Sequence, residues 1–91
     1  MYGDRMARYV SSGQSLAEMQ DRARLTRWAA KGVARVVHPA HGSVLVPHSS
    51  NFTAILNAAE VWGCDWTAIL RAEVWAAKPG ERPVPMPHIY K

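Results

Sequence analysis

A chain of 91 residues is long enough for one small domain, and its 48% hydrophobic residues are interleaved with charges as in a folded protein. The single cysteine excludes an intrachain disulfide, and no apolar run approaches the roughly 20 residues that span a bilayer. We therefore expect a cytoplasmic protein with one domain over 1–91 and no membrane partner.

The positive charge is concentrated in the first part of the chain. Seven of the 11 lysines and arginines lie in residues 1–35 beside three acidic residues, so this part carries the whole net charge of +4. A basic segment favours an anionic partner, such as nucleic acid or an acidic protein surface. An ordinary solvated helix face has the same composition, so charge alone does not choose between them.

The first predicted element is a helix that follows an N-terminal arm of residues 1–14. Ser15 opens the pattern Ser-Leu-Ala-Glu, which is typical of a capping box at a helix N-terminus. We predict a helix over about 16–31, and Gly32 is placed to end it in a left-handed cap.

Two arcs of this helix differ in chemistry. One arc carries Leu25, Trp28 and Ala29, which we expect to contact the core. The other arc is basic, and we expect it to contact nucleic-acid phosphates without reading sequence. We call this set the basic stripe; its members are Arg24, Arg27 and Lys31, with an extension to Arg35.

A β-hairpin is predicted over 33–47. Two β-branched runs flank the turn Pro-Ala-His-Gly, in which Gly42 is free to adopt a positive φ. Because two strands alone are marginally stable in water, we expect this hairpin to pack on the helices.

The hairpin region also carries side chains of the types that bind zinc, namely His38, His41, His48 and, further along, Cys64. Their spacing matches no closed zinc-finger pattern, so we interpret the histidines as exposed turn and strand-end residues and predict no metal or other cofactor. The acidic residues are scattered, and there is no Gly-rich phosphate loop. The chain is therefore not expected to be an enzyme.

The most informative feature is a near-repeat: Phe-Thr-Ala-Ile-Leu-Asn-Ala-Ala-Glu-Val-Trp at 52–62 returns as Trp-Thr-Ala-Ile-Leu-Arg-Ala-Glu-Val-Trp at 66–75. Eight of ten aligned positions are identical once Ala58 is set aside. We predict two helices over 51–62 and 66–77, the first capped within Ser-Ser-Asn and ended by Gly63, and the second capped by Asp65.

A single kinked helix over 51–77 is the alternative, because apolar residues continue through the break at heptad spacing. Gly63 and Asp65 together disfavour a helix interior by about 1.5 kcal/mol relative to Ala, which favours two helices.

The hinge between the copies resembles a helix-turn-helix, with small Ala59 where the helices would cross, Gly63 at the turn and Ile69 in the core. In a DNA-binding module of this kind the second helix enters the major groove. Arg71 would then contact a guanine and Thr67 a phosphate or a thymine methyl group. A nucleic-acid-binding regulatory module, for DNA more than RNA, is therefore the first functional hypothesis.

The same predicted helix supports a second hypothesis. Its outward arc is apolar, and such residues are common at protein interfaces. The residues concerned are Leu70, Val74 and Trp75. They suggest a protein-interaction module or an inhibitor of phage or mobile-element accessory type, for example an anti-defence protein that docks on a host complex; a homodimer is a further option.

The last predicted segment is the tail, 78–91, with prolines at 83, 85 and 87. Proline spacing of this kind favours an extended, polyproline-like chain that can dock as a strand. The complete prediction is an α+β domain with a basic helix, a β-hairpin, a helix-turn-helix-like pair and an extended tail.

Overall fold

The computed structural model of the protein describes residues 16–87, and their arrangement confirms the α+β class. The elements in chain order are α1 (Leu16–Trp28), β1 (Gly32–His38), β2 (Gly42–His48), α2 (Asn51–Trp62), a 3-10 helix (Trp66–Ile69) and β3 (Glu73–Ala76). The three strands form one antiparallel sheet with the order β2-β1-β3.

The predicted hairpin is confirmed. β1 and β2 pair from Gly32 with His48 to His38 with Gly42, and Gly42 has a φ of +87° at the turn. Side chains alternate between the two sheet faces, so every second residue is directed toward α2. The residues buried on that face are Ala34, Val36, Val44 and Val46.

The helix α2 is well specified by its sequence. The Ser50 side chain accepts a hydrogen bond from the Thr53 backbone N–H, and the Thr53 hydroxyl accepts one from the Ser50 backbone N–H. Gly63 ends the helix in the left-handed region, with φ +69°. Buried Ala54, Ala58 and Ala59 let α2 pack on the sheet with no bulky side chain between them.

The helix α1 is shorter than predicted. It ends at Trp28, and Gly32 begins β1 instead of capping the helix. The Ser15 capping box lies outside the described residues. Trp28 packs against the core as expected, but Leu25 and Ala29 are exposed, so the expected three-residue core contact is wrong.

The second helix of the predicted pair is wrong, and so is the single kinked helix. Asp65 does cap the turn that follows, because its side chain accepts a hydrogen bond from the Thr67 N–H at 3.1 Å. Only the 3-10 helix forms there, however, and the chain then enters β3. The helix-turn-helix-like pair is therefore absent.

The physical reason is a difference in length between the copies. The second copy has no counterpart of Ala58, so Trp75 follows Ile69 by six residues, whereas Trp62 follows Ile55 by seven. In a helix this missing residue would turn the tryptophan about 100° away from the side on which Trp62 lies in the first copy. The β-branched and aromatic residues of the segment fit a strand. Pairing with β1 supplies hydrogen bonds that the local sequence pattern does not predict.

Residues 77–87 contain no helix or strand, but they contact three parts of the fold. Glu81 forms an ion pair with Arg35 of β1. The Val84 N–H donates to the Leu45 carbonyl of β2 at 2.9 Å, and Arg24 of α1 donates to the carbonyl oxygen of Pro87. This segment thus runs from β3 to the outer edge of β2 and on to α1.

Gly32 is required by a close approach between β1 and β2. A Cβ at this position would lie 2.5 Å from the backbone oxygen of His48, so a side chain forces the strands apart. We expect Gly32→Ala to lower the free energy of unfolding by roughly 1–3 kcal/mol in urea titrations. The neighbouring exposed change Lys31→Ala is the control, and equal stability of the two variants would contradict this explanation.

Candidate functional site

Two members of the basic stripe are held inside the molecule by one carboxylate. Arg24 and Arg27 of α1 both reach Glu60 of α2, with 2.7 Å between Arg27 Nη1 and Glu60 Oε1. The side chains of Arg24, Arg27 and Glu60 are only 12%, 20% and 16% exposed. The two guanidinium groups are therefore engaged within the fold, where the single carboxylate offsets one of their two positive charges.

Asn57 completes this polar network. The residue is fully buried, and its Oδ1 accepts a hydrogen bond from Arg27 Nη1 at 2.8 Å. Its Nδ2 donates to the backbone oxygens of Pro47 at 3.0 Å and of Arg27 at 3.3 Å. One amide thus ties α1, β2 and α2 together. We call Arg24, Arg27, Trp28, Asn57 and Glu60 the polar network.

The charge of Glu60 is stabilised by this arrangement. Burial acts to raise the pKa of the Glu60 carboxyl, but hydrogen bonds from Arg24, Arg27 and Trp28, together with the charge of Arg27, outweigh it. The pKa of Glu60 is therefore lowered from its ordinary value. The ionised carboxylate is the form that holds α1 in place.

The rest of the basic stripe does not continue as one surface. Arg35 pairs with Glu81, whose pKa is lowered first by a hydrogen bond from the Lys78 backbone N–H and further by Arg35. Lys31 is exposed in the turn after α1. Thr67 and Arg71 are exposed too, but they lie on the 3-10 helix and in the loop before β3.

The histidines and the cysteine lie in separate surroundings. The His41 ring stacks on Trp62 with centroids 4.8 Å apart, and His38 lies 5.5 Å from His41. His48 contacts Asn51 at 3.3 Å, and Cys64 packs against the core cluster. Within residues 16–87, no group of three or more His, Cys, Asp or Glu side chains is arranged to hold a metal ion.

Several large apolar side chains are exposed and form a candidate interaction surface. Phe52 at the start of α2 and Trp66 of the 3-10 helix make an edge-to-face pair with ring centroids 5.3 Å apart. Leu70 and Trp75 follow in the next loop and in β3. Phe52, Leu70 and Trp75 are 53%, 56% and 58% exposed, and Trp66 is 37% exposed. We call Phe52, Trp66, Leu70, Val74 and Trp75 the apolar face.

The predicted interface residues Leu70, Val74 and Trp75 do not share a helix face. Val74 pairs with Val36 and is directed to the α2 side of the sheet, where it packs against the core. Trp75 pairs with Arg35 and is directed to the opposite side. Val74 and Trp75 therefore lie on opposite sides of the sheet at β3.

A groove lies on the α2 side of this edge. It has a volume of about 200 Å³, and it is lined by Ala34, Val74 and Ala76 of the sheet together with His48 and Asn51. Val33 and Trp75 complete the lining. The helix α2 packs mainly over β2 and covers β1 and β3 less, which leaves room for the groove.

The two edges of the sheet differ. On the outer edge of β2, the Leu45 carbonyl accepts from Val84, and Pro47 has no N–H and directs its carbonyl oxygen to Asn57. On the outer edge of β3, within residues 16–87, no hydrogen bond reaches the backbone groups of Val74 and Ala76. An unpaired edge of this kind is a template for another strand.

This edge was missed by the sequence analysis. The missing counterpart of Ala58 and the run Val-Trp before Lys-Pro-Gly were the signals that could have indicated a strand. They were masked by the similarity of the segment to α2.

Comparisons with known proteins do not assign the chain to a family. No protein-family model matches it, and neither the curated proteins nor the solved structures that were searched contain a match. Within the described part of the chain, no helix is long and apolar enough to cross a membrane.

The polar network predicts a specific dependence of stability on pH. A carboxylate with a lowered pKa in the folded state stabilises the fold well above pH 4.5, its ordinary value, and this contribution is lost as the pH falls below it. We expect Glu60→Gln to lower the free energy of unfolding at pH 7 by about 1–2 kcal/mol and to flatten its decline toward acid pH. Urea titrations between pH 7 and pH 3 measure both effects.

The matched control is Asp21→Asn, which removes an exposed carboxylate from α1. It should leave both the stability at pH 7 and the acid decline almost unchanged. A Glu60→Gln variant with the pH profile of the unmodified protein would show that the network is not a source of stability.

Proposed function

We propose that the protein is a non-enzymatic interaction module that docks on another protein through the apolar face. The observation that carries the proposal is the exposure of Phe52, Leu70 and Trp75, each more than half open to solvent. Phe52 contacts Trp66, and Trp75 lies on the edge strand β3. Exposed aromatic and large apolar side chains of this kind are typical of interface hot spots. Their burial against a partner would supply the main favourable term of binding.

Nucleic-acid binding is less favoured by the geometry. Phosphate contacts need arginines and lysines that are available to solvent, whereas Arg24 and Arg27 donate to Glu60, and Arg35 donates to Glu81. Residues 66–77 do not form the recognition helix that a base contact by Arg71 requires. The proposal therefore follows the second of the two sequence-based hypotheses.

A small accessory inhibitor is the biological form that agrees best with these features. Such a protein acts by occupying a surface of its target and needs no catalytic group. A short, rigid domain with one apolar edge is sufficient for this task, because a few buried aromatic and aliphatic side chains provide most of the binding energy. The class of target is a host protein complex, for example a defence complex.

The proposal predicts which substitutions remove the interaction. Leu70→Glu and Trp75→Glu place a charge on the apolar face, and each should reduce capture of the partner by tenfold or more. Capture is measured by quantitative mass spectrometry of proteins retained from an extract of the cells in which the protein is made. Circular dichroism checks that each variant is folded.

Leu25→Glu is the matched control, because Leu25 is 55% exposed on α1, away from the apolar face. It should retain the same proteins as the unmodified chain. Retention of identical proteins by all variants would contradict the proposal. So would salt-dependent binding to a random DNA duplex, measured by fluorescence anisotropy, that is unaffected by Leu70→Glu.

A further inference from the structure

We infer that the partner binds as an added β-strand on the outer edge of β3, and that this strand is an extended segment with alternating apolar residues flanked by acidic residues. The inference rests on the proposed function and specifies the partner of the same surface. It depends on the unpaired backbone of β3, the groove beside it and the charges at its two ends.

The direction of the β3 backbone groups follows from two hydrogen bonds. The Ala77 N–H donates to the Val33 carbonyl at 3.4 Å, so Val33 and, by alternation, Arg35 direct their backbone groups toward β3. The Leu45 carbonyl, opposite Arg35, is accordingly directed away from β1 to Val84. Trp75 therefore pairs inward with Arg35, while Val74 and Ala76 present their N–H and C=O groups outward.

These outward groups can form four hydrogen bonds with an added strand, two N–H donors and two C=O acceptors. Strand addition of this kind obtains affinity from the main chain and specificity from pockets for alternate side chains. β3 has no proline or inward-directed lysine, and the structure describes no segment that covers it. The outer edge of β2, by contrast, contains Pro47 and is covered by the segment around Val84.

The groove supplies the side-chain specificity. An added strand directs every second side chain to the α2 side of the sheet, next to Val74 and Ala76. Ala76 is small and exposed, so an apolar side chain of the added strand can reach past it into the 200 Å³ groove. On the opposite side of the sheet, Trp75 would be covered by the intervening side chains.

The charges select an acidic segment. Arg71 precedes β3 and Lys78 follows it, and both side chains are exposed. Within residues 16–87 neither forms an ion pair, although the charge of Lys78 also acts on Glu81. The one acidic residue of the strand, Glu73, accepts a hydrogen bond from Trp75 Nε1 at 3.0 Å. Two cations at the ends of the edge complement acidic residues on both sides of the added strand.

The same charges argue against a second copy of this chain. Antiparallel pairing of β3 with itself would bring Arg71 of one molecule beside Lys78 of the other at both ends of the pair. Like charges at these positions are repulsive and disfavour self-pairing. A heterologous acidic segment removes this conflict.

The test is a selection of random 12-residue peptides displayed on messenger RNA against the full chain. We expect enriched peptides to alternate apolar residues between aspartates or glutamates. Synthetic versions are then N-methylated at alternate residues and measured by fluorescence polarisation. Methylation of the residues whose N–H groups are directed to β3 removes hydrogen bonds and should weaken binding about tenfold or more. Methylation of the alternate residues, whose N–H groups are directed away from β3, should have little effect.

Variants of the protein give an independent readout. Ala76→Pro removes an outward N–H that makes no hydrogen bond within residues 16–87 and should weaken the same peptides about tenfold. Arg71→Glu combined with Lys78→Glu should weaken them and reverse the sign of the salt dependence, because salt then screens a repulsion. Leu25→Glu should bind as the unmodified chain does. These results together would support strand addition by an acidic segment.

Several outcomes would overturn it. Enrichment of no peptide, equal effects of both N-methyl registers, or enrichment of basic peptides would each exclude the proposed partner. A dimer in sedimentation equilibrium that Ala76→Pro dissociates would assign the edge to a second copy. If cellular capture still depends on Leu70 and Trp75 in any of these cases, the docking function stands and only the strand-addition mode fails.

Discussion

The polar network is the constraint on which the rest of the structure depends. The apolar core consists mainly of alanines and valines, which bury little surface, so the sheet and α2 alone offer α1 few contacts. Asn57 and Glu60 hold α1 through Arg27 and Arg24, and Arg24 also bonds to the carbonyl oxygen of Pro87. A buried amide with both ends satisfied permits only one placement of the surrounding elements, because any other leaves its polar atoms unpaired.

This network also decides which surfaces are available for function. By engaging Arg24 and Arg27, it removes the centre of the basic stripe from solvent, while the segment that ends near Pro87 covers the outer edge of β2. The opposite edge, β3, receives no such cover within the described residues. Arg24, Arg27 and the outer edge of β2 are thus engaged within the fold. The apolar face and, within the described residues, the outer edge of β3 remain available to a partner.

The near-repeat shows how context chooses between helix and strand. Glu-Val-Trp is the end of α2 in the first copy and most of β3 in the second, and Thr-Ala-Ile-Leu is α-helical in one and a 3-10 turn in the other. The first copy has the Ser50 cap and the small residues that allow close packing on the sheet. The second has a cap at Asp65 but no counterpart of Ala58, and pairing with β1 outweighs its modest helical propensity.

The sequence by itself determined the α+β class, the hairpin with its turn at Gly42, and α2 from its cap to Gly63, because each depends on contacts between residues close in the chain. It also identified Leu70 and Trp75 as exposed apolar residues. Only the tertiary structure decided that 73–76 is an edge strand and that Glu60 and Glu81 form ion pairs with three arginines of the basic stripe. Those features join residues more than 30 positions apart, where no local spacing or propensity specifies the partner.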